Sequence, residues 1–76
     1  MENIMRVIND YGLVRVVSLG DPYTKVADIV VEIKAGNQWE YYAGFNSLSD
    51  DYAYTNAKEA AGRAIKKMAA EIVATE

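Results

Sequence analysis

The residues with the most chemical potential in this chain are the adjacent carboxylates Asp50 and Asp51. Two carboxyls can divide acid and base roles when their environments push their pKa values apart. Neighbours on a helix point in different directions, though, and an acidic pair at a helix start has a simpler role against the positive end of the dipole. The chain has no histidine and no cysteine. Imidazole or thiolate metal ligation, Cys–His pairs and the Ser-His-Asp arrangement therefore have no residues to draw on. The glycines Gly12, Gly20, Gly36, Gly44 and Gly62 are scattered and form no phosphate-cradling loop. A lysine nucleophile requires a desolvated pocket, and each lysine here falls at a turn or on a polar face. The expectation is a protein without catalytic residues, metal or cofactor.

A chain of 76 residues supports one modest core, so residues 1–76 are read as a single domain. At 51% hydrophobic residues it is globular rather than disordered. The absence of cysteine fits a reducing cytoplasm. No apolar run approaches the roughly 20 residues of a membrane span, and Met1-Glu2-Asn3-Ile4 lacks the basic-then-apolar pattern of a signal peptide. The net charge of −3 is opposite to that of generic nucleic-acid binders, which displace counterions from phosphates. The charge is also uneven. Between Ala35 and Ala57 there is no lysine or arginine, while the same stretch carries Glu40, Asp50 and Asp51 and six of the eight aromatic residues.

The elements that position these residues follow from periodicity. Ala57, Ala60, Ala61, Ala64, Ile65, Met68 and Ile72 recur at spacings of three and four, the apolar stripe of a long C-terminal helix. Lys58, Glu59, Arg63, Lys66, Lys67 and Glu71 fall on its other side. Ser49 as cap, followed by Asp50 and Asp51, predicts a helix start near Asp50, with Thr55 as the alternative cap. Three strand-like runs precede it: Leu13–Leu19, Asp28–Lys34 and Gln38–Phe45, divided by turns at Gly20–Tyr23 and Ala35–Asn37. In the last run Trp39, Tyr41, Ala43 and Phe45 form one apolar face. A three-residue loop over Ala35–Asn37 keeps that face clean, setting Ile33 opposite Trp39, Val31 opposite Tyr41, and Glu32 opposite Glu40 on the outer face. Ile4, Val7, Ile8 and Tyr11 fit a helix capped by Asn3 and ended by Gly12, with a strand over Ile4–Ile8 as the rival. The expected architecture is α+β in the order α-β-β-β-α, a three-stranded antiparallel meander covered on one face by the C-terminal helix.

That order resembles the double-stranded RNA-binding domain over most of the chain. Tyr11-Gly12 stands where the family ends its first helix. Gly20-Asp21-Pro22-Tyr23-Thr24-Lys25 matches its Gly-Pro-x-His loop without the histidine. Ser49-Asp50-Asp51-Tyr52-Ala53-Tyr54 matches the start of its second helix, with Asp50, Asp51 and Tyr54 in place of the phosphate-binding lysines. The resemblance implies the scaffold, and the aspartates argue against its RNA binding. Asn56-Ala57-Lys58-Glu59-Ala60 is similar to a helix of HicB-like antitoxins, which neutralise a small basic RNase. Small acidic anti-CRISPR proteins look like this chain in size, charge and layout.

Three functional readings follow. The first is a protein-binding module, an inhibitor of a partner with a basic surface, using Glu32, Glu40, Tyr42, Asp50, Asp51, Tyr52 and Tyr54. The second is nucleic-acid binding through Lys58, Arg63, Lys66 and Lys67, with a shallow loss of affinity with salt because these cations neutralise few phosphates. The third is a homodimer built on an open sheet edge.

Overall fold

A computed structural model describes residues 5–75, with side chains as far as Glu71. Asn3, Ile4 and the Ile72 side chain lie outside the described residues. The elements are β1 (Arg6–Asp10), β2 (Val14–Ser18), β3 (Ile29–Ala35), β4 (Gln38–Phe45) and α1 (Ala53–Thr75). The strands form one antiparallel meander in the order β1-β2-β3-β4, and α1 lies across β2, β3 and β4. The expected architecture is corrected in two respects. There are four strands, and the segment read as an N-terminal helix is strand β1. Its apolar spacing is helical only because β1 is bulged. Val7 pairs with Val17 and Asn9 with Val16, which leaves Ile8 as an extra residue. Ile8 packs on the core, on the side opposite to Val7, and the bulge then brings Asn9 to that same side, against Val16.

The same device sits in β4. The turn between β3 and β4 is the two-residue Gly36-Asn37, with Ala35 paired to Gln38 and Gly36 at a φ of 63°. Glycine at the first central position with positive φ suits the twist of a two-residue hairpin. This register sets Lys34 against Trp39, Ile33 against Glu40 and Glu32 against Tyr41, then Val31 against Ala43. Tyr42 is the extra residue. The expected three-residue loop is thus replaced by a tight turn plus a bulge. Before the bulge Trp39 and Tyr41 stand on the face away from the helix; after it Ala43 and Phe45 return to the core side.

The core lies between α1 and the inner sheet face. It comprises Val14, Val16, Ile29 and Val31 from the sheet, and Ala53, Ala57, Ala60, Ala61 and Ala64 from the helix, all at most 1% exposed. Alanine at every fully buried helix position lets the helix backbone lie close to the β-branched sheet surface. Ile65, assigned to the apolar stripe, is 39% exposed because it falls beside the seam. The Cα atoms span 17 Å along the shortest axis, the depth of one helix on one sheet.

The helix begins at Ala53, between the two starts expected. Asp50 organises the turn into it: its Oδ1 accepts from the Tyr52 N–H at 2.9 Å and its Oδ2 from Asn56 Nδ2 at 2.9 Å. Two further polar residues join the loops. Asp28, 4% exposed, accepts from the Ser47 N–H at 2.7 Å and Ser47 Oγ at 2.6 Å. Asn46 donates through Nδ2 to the carbonyls of Pro22 and Lys25, and its Oδ1 accepts from the N–H groups of Leu48 and Ser49. Together they tie the β2–β3 connection to the segment that delivers α1.

Candidate partner-binding surface

The outer face of the sheet, opposite α1, has two halves. At one end Val17 and Val30 are buried although they stand outside the cluster under the helix. Ala27, from the β2–β3 connection, approaches Gly44 beside them. A methyl group added at Gly44 would lie 2.7 Å from the Ala27 Cβ and 2.8 Å from the Tyr41 hydroxyl. The glycine therefore makes room for the Tyr41 ring to lie along the sheet. At the other end no helix or loop among the described residues covers the sheet, and Arg15, Glu32 and Trp39 pack on one another half-buried, with Met5 Sδ accepting from the Arg15 guanidinium.

That open half is built by three neighbouring strands. Arg15 on β2 pairs with Glu32 on β3, and the Arg15 Nε donates to Glu32 Oε1 at 2.7 Å. The same guanidinium lies 4.1 Å from the centroid of the Trp39 ring on β4, and Lys34 Nζ lies 5.8 Å from it. Tyr41, next along the outer side of β4, is 66% exposed. The result is an indole and a phenol displayed on a rigid sheet, with an arginine fixed between a carboxylate and a ring. Cation–π and charge-assisted contacts of this kind orient side chains as well as attract them.

The acidic and aromatic residues singled out from sequence are dispersed. Glu32 is on the outer face, but it is bound to Arg15 and does not face Glu40. Glu40 is exposed on the helix side of β4, opposite Ile33. Tyr42 packs on the core through the bulge. Asp50 is engaged in the turn before α1, while Asp51, Tyr52 and Tyr54 are exposed, Tyr52 at 71%. Trp39 and Tyr41 were assigned to the core face and are the residues that sequence reasoning missed. The Lys34-Ala35-Gly36-Asn37-Gln38 turn carried the signal, since a two-residue Gly-Asn loop turns both aromatics outward. Lys58, Arg63, Lys66 and Lys67 are exposed on α1, interleaved with Glu59 and Glu71.

No protein-family model, curated protein or solved structure matches this chain. The site must be judged on its own chemistry. Among the described residues no three acidic side chains gather as a metal site, and no helix is long and apolar enough to cross a membrane. The most buried carboxylate, Asp28, has its oxygens engaged by Ser47. Among the described residues the Asp21 carboxyl is held below its ordinary 3.8, chiefly by the Thr24 hydroxyl. This exposed residue has a φ of 45° and sits in the β2–β3 connection, where it orders the turn through Thr24 and the Tyr23 N–H.

Proposed function

We propose that the chain is a non-enzymatic protein-binding module that acts in the cytoplasm and engages a partner through the open half of its sheet. One observation carries this reading: Trp39 and Tyr41 stand on the uncovered face. A domain of this size gains most by burying its largest apolar side chains. Here the fully buried positions are filled by valine, isoleucine and alanine while the only tryptophan stands half-buried on the outer face beneath Arg15. Aromatic side chains and arginine are the residues that dominate the energetics of protein interfaces. The net charge of −3 favours a partner with a basic surface, which such binding would occlude and so inhibit. The likeness in size and charge to small antagonist proteins points the same way. Against nucleic acid stands the state of Arg15, which is already neutralised by Glu32.

The test compares the wild type with the Trp39→Ser, Tyr41→Ser double variant, both immobilised and presented with lysate. A protein retained by the wild type and lost from a variant with unchanged circular dichroism is the expected result. Retention by both refutes the assignment of the face. In parallel, labelled double-stranded RNA and DNA at low salt are expected to show no saturable binding. Saturation would move the site to Lys58, Arg63, Lys66 and Lys67.

A further inference from the structure

β4 is an edge strand of 8 residues, and among the described residues no strand pairs with its outer side. Such an edge offers unpaired N–H and C=O groups as a template, and proteins usually blunt it with lysine, proline, a bulge or a very short strand. β4 has its bulge at Tyr42 but carries neither lysine nor proline: Gln38, Trp39, Glu40, Tyr41, Tyr42, Ala43, Gly44 and Phe45 include one charge, and it is negative. At the Phe45 end the Phe45 carbonyl accepts from the Asp28 N–H, a bond on the β3 side. The bulge at Tyr42 interrupts the middle. The regular stretch before it runs from Gln38 to Tyr41. The other edge strand, β1, has 5 residues and begins with Arg6.

We infer that the β4 edge takes up an extended, basic segment of the partner as an added strand. This rests on the proposed protein-binding function and names the partner's chemistry. Backbone pairing supplies affinity, and the alternation of side chains supplies specificity. On the outer side an added strand runs beside Trp39 and Tyr41, which suit apolar residues. On the helix side it meets Glu40, while Lys67 and Glu71 of the helix, which share a groove with Ile33 and Tyr42, offset one another. A segment alternating apolar and basic residues is therefore complementary to both sides. Charge also argues for a foreign strand over a second copy of this chain. The stretch from Ala35 to Ala57 has no base, so antiparallel pairing of two β4 edges joins acid to acid and brings no cation to Glu40.

The test uses a capped peptide of about eight residues alternating lysine and valine, the length of β4, titrated against the full chain and followed by Trp39 emission. A second peptide carries N-methyl groups on alternate amides. It keeps charge and side chains but loses one edge of hydrogen bonds. Saturable binding is expected for the first, weakened at least about tenfold by N-methylation, since several hydrogen bonds are lost. Glu40→Lys, on an exposed position, is expected to weaken it by a similar factor. Equal binding of both peptides would reduce the interaction to non-specific charge attraction and overturn the inference. No binding overturns it as well. Self-association of the chain in sedimentation, undisturbed by the peptide, would assign the edge to a second copy. If the peptide fails while the Trp39, Tyr41 variant still loses its captured protein, the strand-addition inference falls and the binding face stands.

Discussion

Replacing Asp28 with alanine tests whether the fold depends on the polar tie between its loops. The carboxylate is 4% exposed and accepts two short hydrogen bonds from Ser47. Hydrogen bonds to a charged group contribute about 1.5–3 kcal/mol each, and Ser47 is only half-buried, so water recovers part of the loss. The expected cost of Asp28→Ala is about 2–4 kcal/mol. A domain of this length has a total stability of roughly 4–11 kcal/mol, so the change removes a large share of it. In melting temperature it corresponds to a fall of about 10–25 °C. Asp28→Asn is the informative companion. Its amide oxygen still accepts from the Ser47 N–H and its NH2 donates to Ser47 Oγ, so the expected cost is only about 1 kcal/mol. Urea denaturation followed by far-UV circular dichroism measures both, with an unchanged denaturant slope showing that the same surface unfolds. An Asp28→Ala protein within about 0.5 kcal/mol of wild type would refute the assignment of Asp28 as a structural tie. If asparagine is as damaging as alanine, the negative charge matters and the bonding geometry does not.

Other expectations concern the sheet, the helix seam and pH. Glu32→Gln breaks the ion pair with Arg15; both side chains are partly exposed, so the stability loss is expected to stay under about 1 kcal/mol, while Trp39 emission shifts as the guanidinium is released. A blank emission spectrum difference would count against the stacked arrangement. Gly44→Ala puts a methyl group against Ala27 and the Tyr41 ring, at an expected cost of about 1–3 kcal/mol in urea denaturation. Ala61→Leu overfills the seam between α1 and the sheet and is expected to cost about as much or more, whereas Ala69→Leu, exposed beyond the seam, is tolerated. The Asp21 carboxyl titrates lower in the folded chain than in the unfolded one. Its contribution to stability is present above its ordinary 3.8 and lost as pH falls through the lower folded value. NMR titration of that carboxyl checks the direction, and Thr24→Ala is expected to bring it back toward 3.8.

The C-terminal helix and its alanine seam were legible because they follow a single period over many residues, and three of the strands because their β-branched and aromatic runs are bounded by turns. Ala57, Ala60, Ala61 and Ala64 repeat at helical spacing and are all buried. What escaped sequence reading shares one cause. A bulge changes the phase of a strand by one residue, and alternation carries no mark of where it occurs. In β1 the added Ile8 made a strand look helical. In β4 the added Tyr42 made Trp39, Tyr41, Ala43 and Phe45 look like one face when they belong to two. The site was misread for the same reason: Trp39 and Tyr41 were placed inside, and Glu32 and Glu40 were set against each other. The helix start was read about three residues early: α1 begins at Ala53, and the Asp50 carboxylate holds the turn before it and is not free for a partner.

The bulge in β4 also bears on how the hairpin assembles in time. Zipping from Gly36-Asn37, the first pairs form in a regular ladder as far as Glu32 and Tyr41. At the next step the growing hairpin meets a fork. A regular continuation sets Val31 against Tyr42 and sends Ala43 and Phe45 outward, satisfying the local hydrogen bonds and forfeiting the hydrophobic contacts with α1. The bulged continuation gives up local regularity and gains those contacts only once the helix has docked. Local and distant interactions thus favour different registers at the same residue, and the choice waits on α1. Deleting Tyr42 should remove the fork, because the regular ladder then sets Ala43 against Val31 and Phe45 against Ile29, the pairs that the bulged register makes.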